Sequence, residues 1–302
     1  MHNWKFLLTS QLLRGSWFLH QDYALAAGAD IQQLFSPENK FQDYSEPLKN
    51  RLSYKSVFLA DNNLGAESGF DSFPKGSIAI FKLSGTLLKT GTLCTYGTEE
   101  IGAIIAEAAT HQNIDGAIFL IDSGGGAVNA VAPISQAIAK FKELHKPTLA
   151  LCDAAYSAAY WVASECNYIM ADNNISAGFG SIGVMTTFVD YAEAYQKIGI
   201  KIHTIYAPES SEKNKAYELA LQGKYDEIKA EELSPLAINF QNTVLKNRGT
   251  RLKIDEGDKV LKGKTYLAEK AIEIGLIDGI GDMQMAYDKI TEMVAINKFL
   301  HA

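Results

Sequence analysis

Two short runs, Gly116-Ala117-Ile118-Phe119-Leu120-Ile121 and Pro147-Thr148-Leu149-Ala150-Leu151, constrain the fold of this chain more than any other feature. Neither alternates apolar with polar residues, so as strands they would be buried on both faces, as in a parallel sheet covered by helices. Ala130 to Leu144 between them reads as a helix. Strand, helix and strand in that order make a β-α-β unit with a right-handed crossover. The alternation continues on both sides. Ile78-Ala79-Ile80-Phe81 reads as a strand and Glu99 to Thr110 as an alanine-rich helix. Beyond Leu151, Ala158 to Glu165 reads as a helix, and Tyr168-Ile169-Met170 and Val184-Met185-Thr186 as short strands. A helix over Tyr191 to Ile198 and a strand over Ile202-His203-Thr204-Ile205-Tyr206 follow. Charged helices are expected from about Ala216 to Arg248 and over Leu267 to Ile274. The fold class is α/β, with repeated β-α-β units, a largely parallel sheet and C-terminal helices.

Residues 1–75 read as a partly irregular N-terminal extension with two short helices, 76–290 as the main domain and 291–302 as a C-terminal tail. With 302 residues, 47% of them hydrophobic, the chain can bury a substantial core. Its formal charge of −7 offers no global basic field for nucleic acid. Cys94, Cys152 and Cys166 are too far apart for a zinc-ligand pair and read as buried free thiols. The apolar start is interrupted at Arg14, His20 and Asp22, before a signal peptide could be completed, and no segment has the roughly 18 apolar residues of a membrane span. A cytoplasmic protein without a membrane span is expected.

Candidate chemistry collects at the ends of the two apolar strands. Gly124-Gly125-Gly126 follows the first and precedes a helix, which suits either a tight turn or a loop whose backbone N–H groups face an anion. Ser157, among small residues in Ala154-Ala155-Tyr156-Ser157-Ala158-Ala159, sits where the second strand gives way to a helix. It reads either as a helix N-cap or as a nucleophile, with the Ala158 amide and that of Gly125 or Gly126 around the developing oxyanion. Parallel strands end on the same sheet edge, where ligands bind.

A serine hydroxyl needs a base. Only His203 and His301 follow Ser157, and His203 lies in an expected strand, so lysine is the better candidate. A lysine with the reference pKa near 10.4 has only about one part in a few thousand neutral at pH 7, and burial must lower that pKa by several units. Lys213 and Lys215 both lie in Glu209-Ser210-Ser211-Glu212-Lys213-Asn214-Lys215; Glu209 and Glu212 would oppose deprotonation if their side chains lie close.

Asp122-Ser123-Gly124-Gly125-Gly126-Ala127-Val128 resembles the strand-end loop of the Clp/crotonase superfamily, and Ala155-Tyr156-Ser157-Ala158-Ala159-Tyr160 resembles the nucleophile motif of its peptidase S49 branch. That branch holds the signal peptide peptidase A family and phage prohead proteases. Gly180-Ser181-Ile182-Gly183-Val184, Lys262-Gly263-Lys264-Thr265-Tyr266 and Ala271-Ile272-Glu273-Ile274-Gly275-Leu276-Ile277-Asp278 extend the likeness over roughly residues 76–290.

The resemblance implies a Clp/crotonase-like core and a serine endopeptidase using a Ser-Lys dyad. Ser157 would be the nucleophile and Lys213, 56 positions on, the general base, with Lys215 in reserve. Gly125, Gly126 and Ala158 would form the oxyanion hole, and Gly180 and Ser181 would line the substrate cleft. No metal or organic cofactor is needed; a protein or peptide substrate and a homo-oligomer are expected. The sequence departs from the family pattern at Gly124, where proline is usual, at Ala158-Ala159, where a glycine pair is usual, and in lacking glycines beside the lysine. A Clp-type histidine would fall near Ile182, and none is present. A prophage-type capsid or scaffold maturation protease, possible as a virion precursor, leads the readings. A cellular signal-peptide-peptidase-A-like enzyme, an acyl-CoA-directed crotonase and a non-catalytic assembly scaffold are the alternatives.

Overall fold

The structure is a computed structural model, and it describes residues 17–19, 69–91, 96–188, 190, 192–255 and 259–301. Cys94 and most of the N-terminal extension, with its two expected helices, lie outside these residues. The first described strand is β1 (Trp17–Leu19). Then come β2 (Ser77–Ser84), α1 (Thr98–Thr110), β3 (Ile114–Ser123), β4 (Gly125–Ala127) and α2 (Val131–Glu143). The region around Ser157 is built from β5 (Thr148–Tyr156) and α3 (Ala158–Glu165), followed by β6 (Tyr168–Ala171), β7 (Gly178–Gly180) and α4 (Ala192–Lys197). The rest comprises α5 (Lys215–Leu221), α6 (Ser234–Arg248), β8 (Thr265–Leu267), α7 (Ala268–Glu273), β9 (Gly279–Ile280) and α8 (Met283–His301).

Strands β2, β3, β5, β6 and β9 pair in that order, all parallel. Within β5 the neighbour changes: Leu149–Cys152 pairs with β6, whereas Ala154–Tyr156 pairs with β7. β7 pairs antiparallel with β8, so the Lys262–Tyr266 motif braces the strand beside Ser157.

Alternate residues of each central strand enter opposite cores, as the two-residue period requires. Ala79, Phe81, Phe119, Ile121, Ala150 and Cys152 face the large core beneath α1, α2, α3 and α6. Ile78, Ile80, Ile118, Leu149 and Leu151 face a smaller core closed by Ala286 and Ile290 of α8. Both faces are therefore buried, as the unbroken apolar runs anticipate. Each fully buried Ile or Phe contributes about 1.5–3 kcal/mol. The helix α8 runs unbroken past residue 290, with Asn297 donating to the His145 carbonyl and Lys298 paired with Asp115.

One buried ion pair ties the C-terminal motif to the sheet. Arg248, 1% exposed, donates from both terminal nitrogens to Asp278 at 2.9 and 2.7 Å, and from Nε to the Gly275 carbonyl at 2.8 Å. The same carboxylate accepts the Ile169 N–H of β6 at 2.8 Å. Such a bidentate pair satisfies charges that would otherwise be stranded. Gly275, at φ +79°, lies so close to the Arg251 carbonyl that a Cβ would come within 1.7 Å of it. The Ile274-Gly275-Leu276-Ile277-Asp278 stretch is thus an architectural joint.

Two expected strands do not form. Residues 184–186 make one bridge, Met185 to Trp17, and 202–206 have no ladder partner among the described residues. Ile205 is 91% exposed. The alternating Ile-Lys-Ile-His-Thr-Ile pattern suits a strand, but among the described residues no strand pairs with it to supply hydrogen bonds or an apolar face.

Candidate active site

The register between β3 and β5 brings the two candidate loops together. Ser123, the last residue of β3, pairs with Ala155 of β5, two residues before Ser157. The chain after β2 joins the same edge: Leu87 donates to the Gly125 carbonyl at 2.8 Å and accepts the Ala127 N–H at 2.9 Å. A Cβ on Gly126 would come within 2.0 Å of the Leu87 carbonyl oxygen, so the approach requires glycine.

Ser157 has φ +54° and ψ −121°. A non-glycine residue there costs on the order of 1–3 kcal/mol, and the surrounding structure must hold it. Its N–H donates to the Gly180 carbonyl at 2.8 Å and its carbonyl accepts the Trp161 N–H at 2.9 Å. Ser157 occupies the N-cap position of α3, yet its hydroxyl makes no capping hydrogen bond. This is a strand–sharp turn–helix arrangement that presents a hydroxyl at a sheet edge. Because the first intrahelical bond of α3 is that of Trp161, the amides of Ala158, Ala159 and Tyr160 have no intrahelical acceptor. Helix α3 is itself fixed: Tyr160 donates to the Leu276 carbonyl at 2.8 Å, and the Trp161 ring stacks on Phe240 of α6 with centroids 4.9 Å apart.

Around this elbow, Gly180 supports the Ser157 backbone directly. Ser181, also at φ +54°, donates its N–H to the Lys264 carbonyl at 3.0 Å. Gly125, at φ +103°, turns its N–H to Ser123 Oγ at 3.1 Å, and that hydroxyl donates to the Gly85 carbonyl at 2.5 Å. Since Gly125 and Ala127 address Leu87, strand alternation aims the N–H and carbonyl of Gly126 the other way, toward Phe18 of β1. Sequence reasoning missed that strand altogether, because a three-residue Trp-Phe-Leu run carries no periodic signal.

The lysines stand apart from the serine. Lys213 is exposed between a 3₁₀ turn at Pro208–Ser210 and α5. Lys215 is also exposed, with Nζ 2.7 Å from Glu212, whose hydrogen bond and charge raise its pKa. That holds Lys215 in the protonated form. No hydrogen bond joins either lysine to the Ser157 hydroxyl among the described residues. Burial lowers the pKa of Lys146, but Lys146 precedes β5 at the opposite sheet edge, where it donates to the Ala109 and His111 carbonyls at 2.7 and 2.8 Å. Cys152 and Cys166 are buried free thiols; burial raises both pKa values, that of Cys166 to about 12. Among the described residues no cluster of three or more His, Cys, Asp or Glu could hold a metal, and no helix is long and apolar enough to cross a membrane.

The sequence model of peptidase family S49 matches residues 140–297. Protease 4 of Haemophilus influenzae is 26% identical over 257 residues, which cover 84% of this chain and 38% of that protein. Capsid assembly protease C of Escherichia phage lambda is 32% identical over 156 residues, 47% of this chain and 35% of that protein. This chain therefore spans little more than a third of either relative. Among solved structures, a membrane-bound stomatin-specific protease in complex with a substrate peptide superposes at a TM-score of 0.44 with 13% identity, covering 72% of this chain and 80% of that one.

Proposed function

The chain belongs to peptidase family S49, and on that premise we propose that it is a serine endopeptidase working through an acyl-enzyme, with Ser157 as nucleophile. The observation that carries the proposal is the strained elbow, where a hydroxyl that caps nothing is held beside the N-terminus of α3. Lys213 as neutral amine takes the Ser157 proton, and Oγ attacks the peptide carbonyl carbon. The oxyanion is held by the Ala158 amide together with that of Gly125 or Gly126, after those loop amides release their present partners. Collapse of the tetrahedral intermediate expels the amine with the proton from Lys213, and water then releases the acyl group by the same route.

An exposed lysine is protonated at neutral pH, so the dyad needs Lys213 to be desolvated. We assign that desolvation to substrate and to a second copy of the chain packing over the Ser210–Lys215 segment; homo-oligomerisation is therefore part of the proposal. Lys215 is the reserve base, and its bond to Glu212 weighs against it. For the biological role, the likeness to Capsid assembly protease C supports a capsid or scaffold maturation protease encoded by a prophage, in which case the chain would be a cytoplasmic virion precursor. The longer match to Protease 4, over 84% of the chain, favours a second reading as a cellular peptidase.

Incubation of wild type and Ser157→Ala with unfolded casein and a fluorophosphonate tests the chemistry. Wild type is expected to cleave casein and to be labelled once per chain, and Ser157→Ala to do neither. Cleavage or labelling that survives Ser157→Ala removes the mechanism. A folded wild type inert in both assays leaves the non-catalytic scaffold. Cleavage of a co-expressed capsid or scaffold protein, against none with peptides of exported proteins, separates the two roles.

A further inference from the structure

β1 lies across the proposed active edge as a middle strand. On one side it pairs antiparallel with β4, Trp17 opposite Ala127, Phe18 opposite Gly126 and Leu19 opposite Gly125. On the other, Trp17 and Met185 exchange both backbone hydrogen bonds, at 2.7 and 3.0 Å. The strand therefore fills the gap between the glycine-rich loop and the segment that follows Gly180-Ser181. Its direction brings Leu19 to Gly125, so the chain runs toward the loop that flanks Ser157. The Trp17 side chain is half-buried against the main core, which anchors the strand. With β1 seated, the Gly126 amide faces Phe18 and Ser157 is 1% exposed.

A polypeptide bound for cleavage would need these same backbone groups. Strand addition draws affinity from main-chain hydrogen bonds and is indifferent to most side chains. β4 and Met185 offer it an antiparallel partner on each side, and β1 uses both. Nothing in the three-residue pairing depends on a particular sequence beyond the Trp17 anchor. β1 is joined to the next described residue, Gly69, through 49 residues of chain, so it acts as a tethered ligand with a high effective concentration at the site.

We propose that Trp17–Leu19 is a built-in competitor: this chain's own N-terminal strand occupies the groove between β4 and Met185 that an extended polypeptide must enter, so substrate binds only by displacing it. The proposal rests on Ser157 being the centre of a peptidase site. It describes a closed state, whose opening requires a substrate able to outcompete a tethered three-residue strand.

The test compares the full chain, a variant lacking residues 1–19, and Phe18→Pro in the full chain. Proline removes the amide of the residue facing Gly126 and leaves the Trp17 anchor in place. KM is measured with a fluorogenic extended peptide. Both variants are expected to lower KM at least about tenfold, the order by which tethering strengthens a local contact. A synthetic peptide of residues 14–22 is expected to inhibit the truncated enzyme competitively. A truncated or Phe18→Pro enzyme that keeps the circular dichroism of the full chain and an unchanged or higher KM overturns the proposal, leaving β1 as architecture. If no form of the chain cleaves peptide or takes up a fluorophosphonate, the peptidase reading itself has failed. The groove is then read by fluorescence anisotropy of the labelled 14–22 peptide. Saturable binding to the truncated chain but not to the full chain keeps the competitor relation, and equal or absent binding ends it.

Discussion

The two halves of the proposed dyad are built in opposite ways. Ser157 stands at the end of a central strand, its backbone bonded to β7 and α3, in a conformation that only a packed surround can hold. Lys213 stands on an exposed turn between short helices, with only local backbone bonds around it. Their ion pairs differ in the same way. Arg248–Asp278, behind the serine half, is enclosed and bidentate, whereas Glu212–Lys215, beside the base, lies in solvent. If Ser157 and Lys213 form the proposed dyad, the fold alone prepares the serine, while the lysine awaits a contact from outside the described core.

The largest effect that could break this contrast is on activity. Lys213→Ala is expected to lower kcat/KM roughly 100- to 10,000-fold while leaving the thermal midpoint unchanged. A comparable loss in Lys215→Ala alone, measured on the same peptide, would move the base. Arg248→Ala reports on the serine half: it removes the buried bidentate partner of Asp278, leaving Arg251 at 3.4 Å and the Ile169 N–H, and is expected to destabilise by about 3–5 kcal/mol in urea unfolding. Ser157→Gly removes the nucleophile but also the positive-φ strain, and is expected to raise stability by roughly 1 kcal/mol. An unchanged or lowered stability would mean that the elbow is not strained.

Two pH experiments sharpen the comparison further. Glu165, at the end of α3, accepts from Ser135 at 2.9 Å and Trp161 at 3.0 Å, while its second oxygen is buried without a partner among the described residues. Burial raises its pKa above 4.5. In the folded state the proton is therefore held to higher pH than in the unfolded chain. The stability it contributes is complete below pH 4.5 and falls as pH rises through the folded pKa. Glu165→Gln is expected to flatten that decline in denaturation curves taken at a series of pH values. The smallest expected effect is none at all. Removing Glu212's charge and hydrogen bond lowers the pKa of Lys215, so if Lys215 were the base, Glu212→Gln would shift the acid limb of kcat/KM to lower pH. With Lys213 as base the limb stays in place.

The parts of the fold legible in sequence are those whose signal is local. β2, β3 and β5 were readable because apolar residues on both faces leave only a covered sheet as a solution. The extent of α3, Ala158 to Glu165, was readable as the helix that follows β5 in the alternation of strand and helix. β7, β8 and β9 were not, because Gly-Phe-Gly and a Gly-Ile pair are strands only by virtue of distant partners. The same locality misleads at 202–206, where a period of two exists without a neighbour. Ser157 could be singled out by its setting, but its positive φ leaves no trace in composition. The Arg248–Asp278 joint was equally silent: an arginine in a charged helix and an aspartate at a turn look solvated until the fold encloses them. Lys213 owes its place to motif order alone, since no burial and no side-chain partner among the described residues marks it.

The layering of α8 on the sheet bears on how the protein is made. Ile78, Ile80, Ile118, Leu149 and Leu151 come from strands synthesised early, yet Ala286 and Ile290, which close their face, belong to a helix translated after every strand of the sheet. During synthesis the sheet carries an uncovered apolar face until that helix arrives. A strained turn persists only where the surrounding structure holds it, so the turn at Ser157, the proposed nucleophile, would be set in place late, once that face is covered.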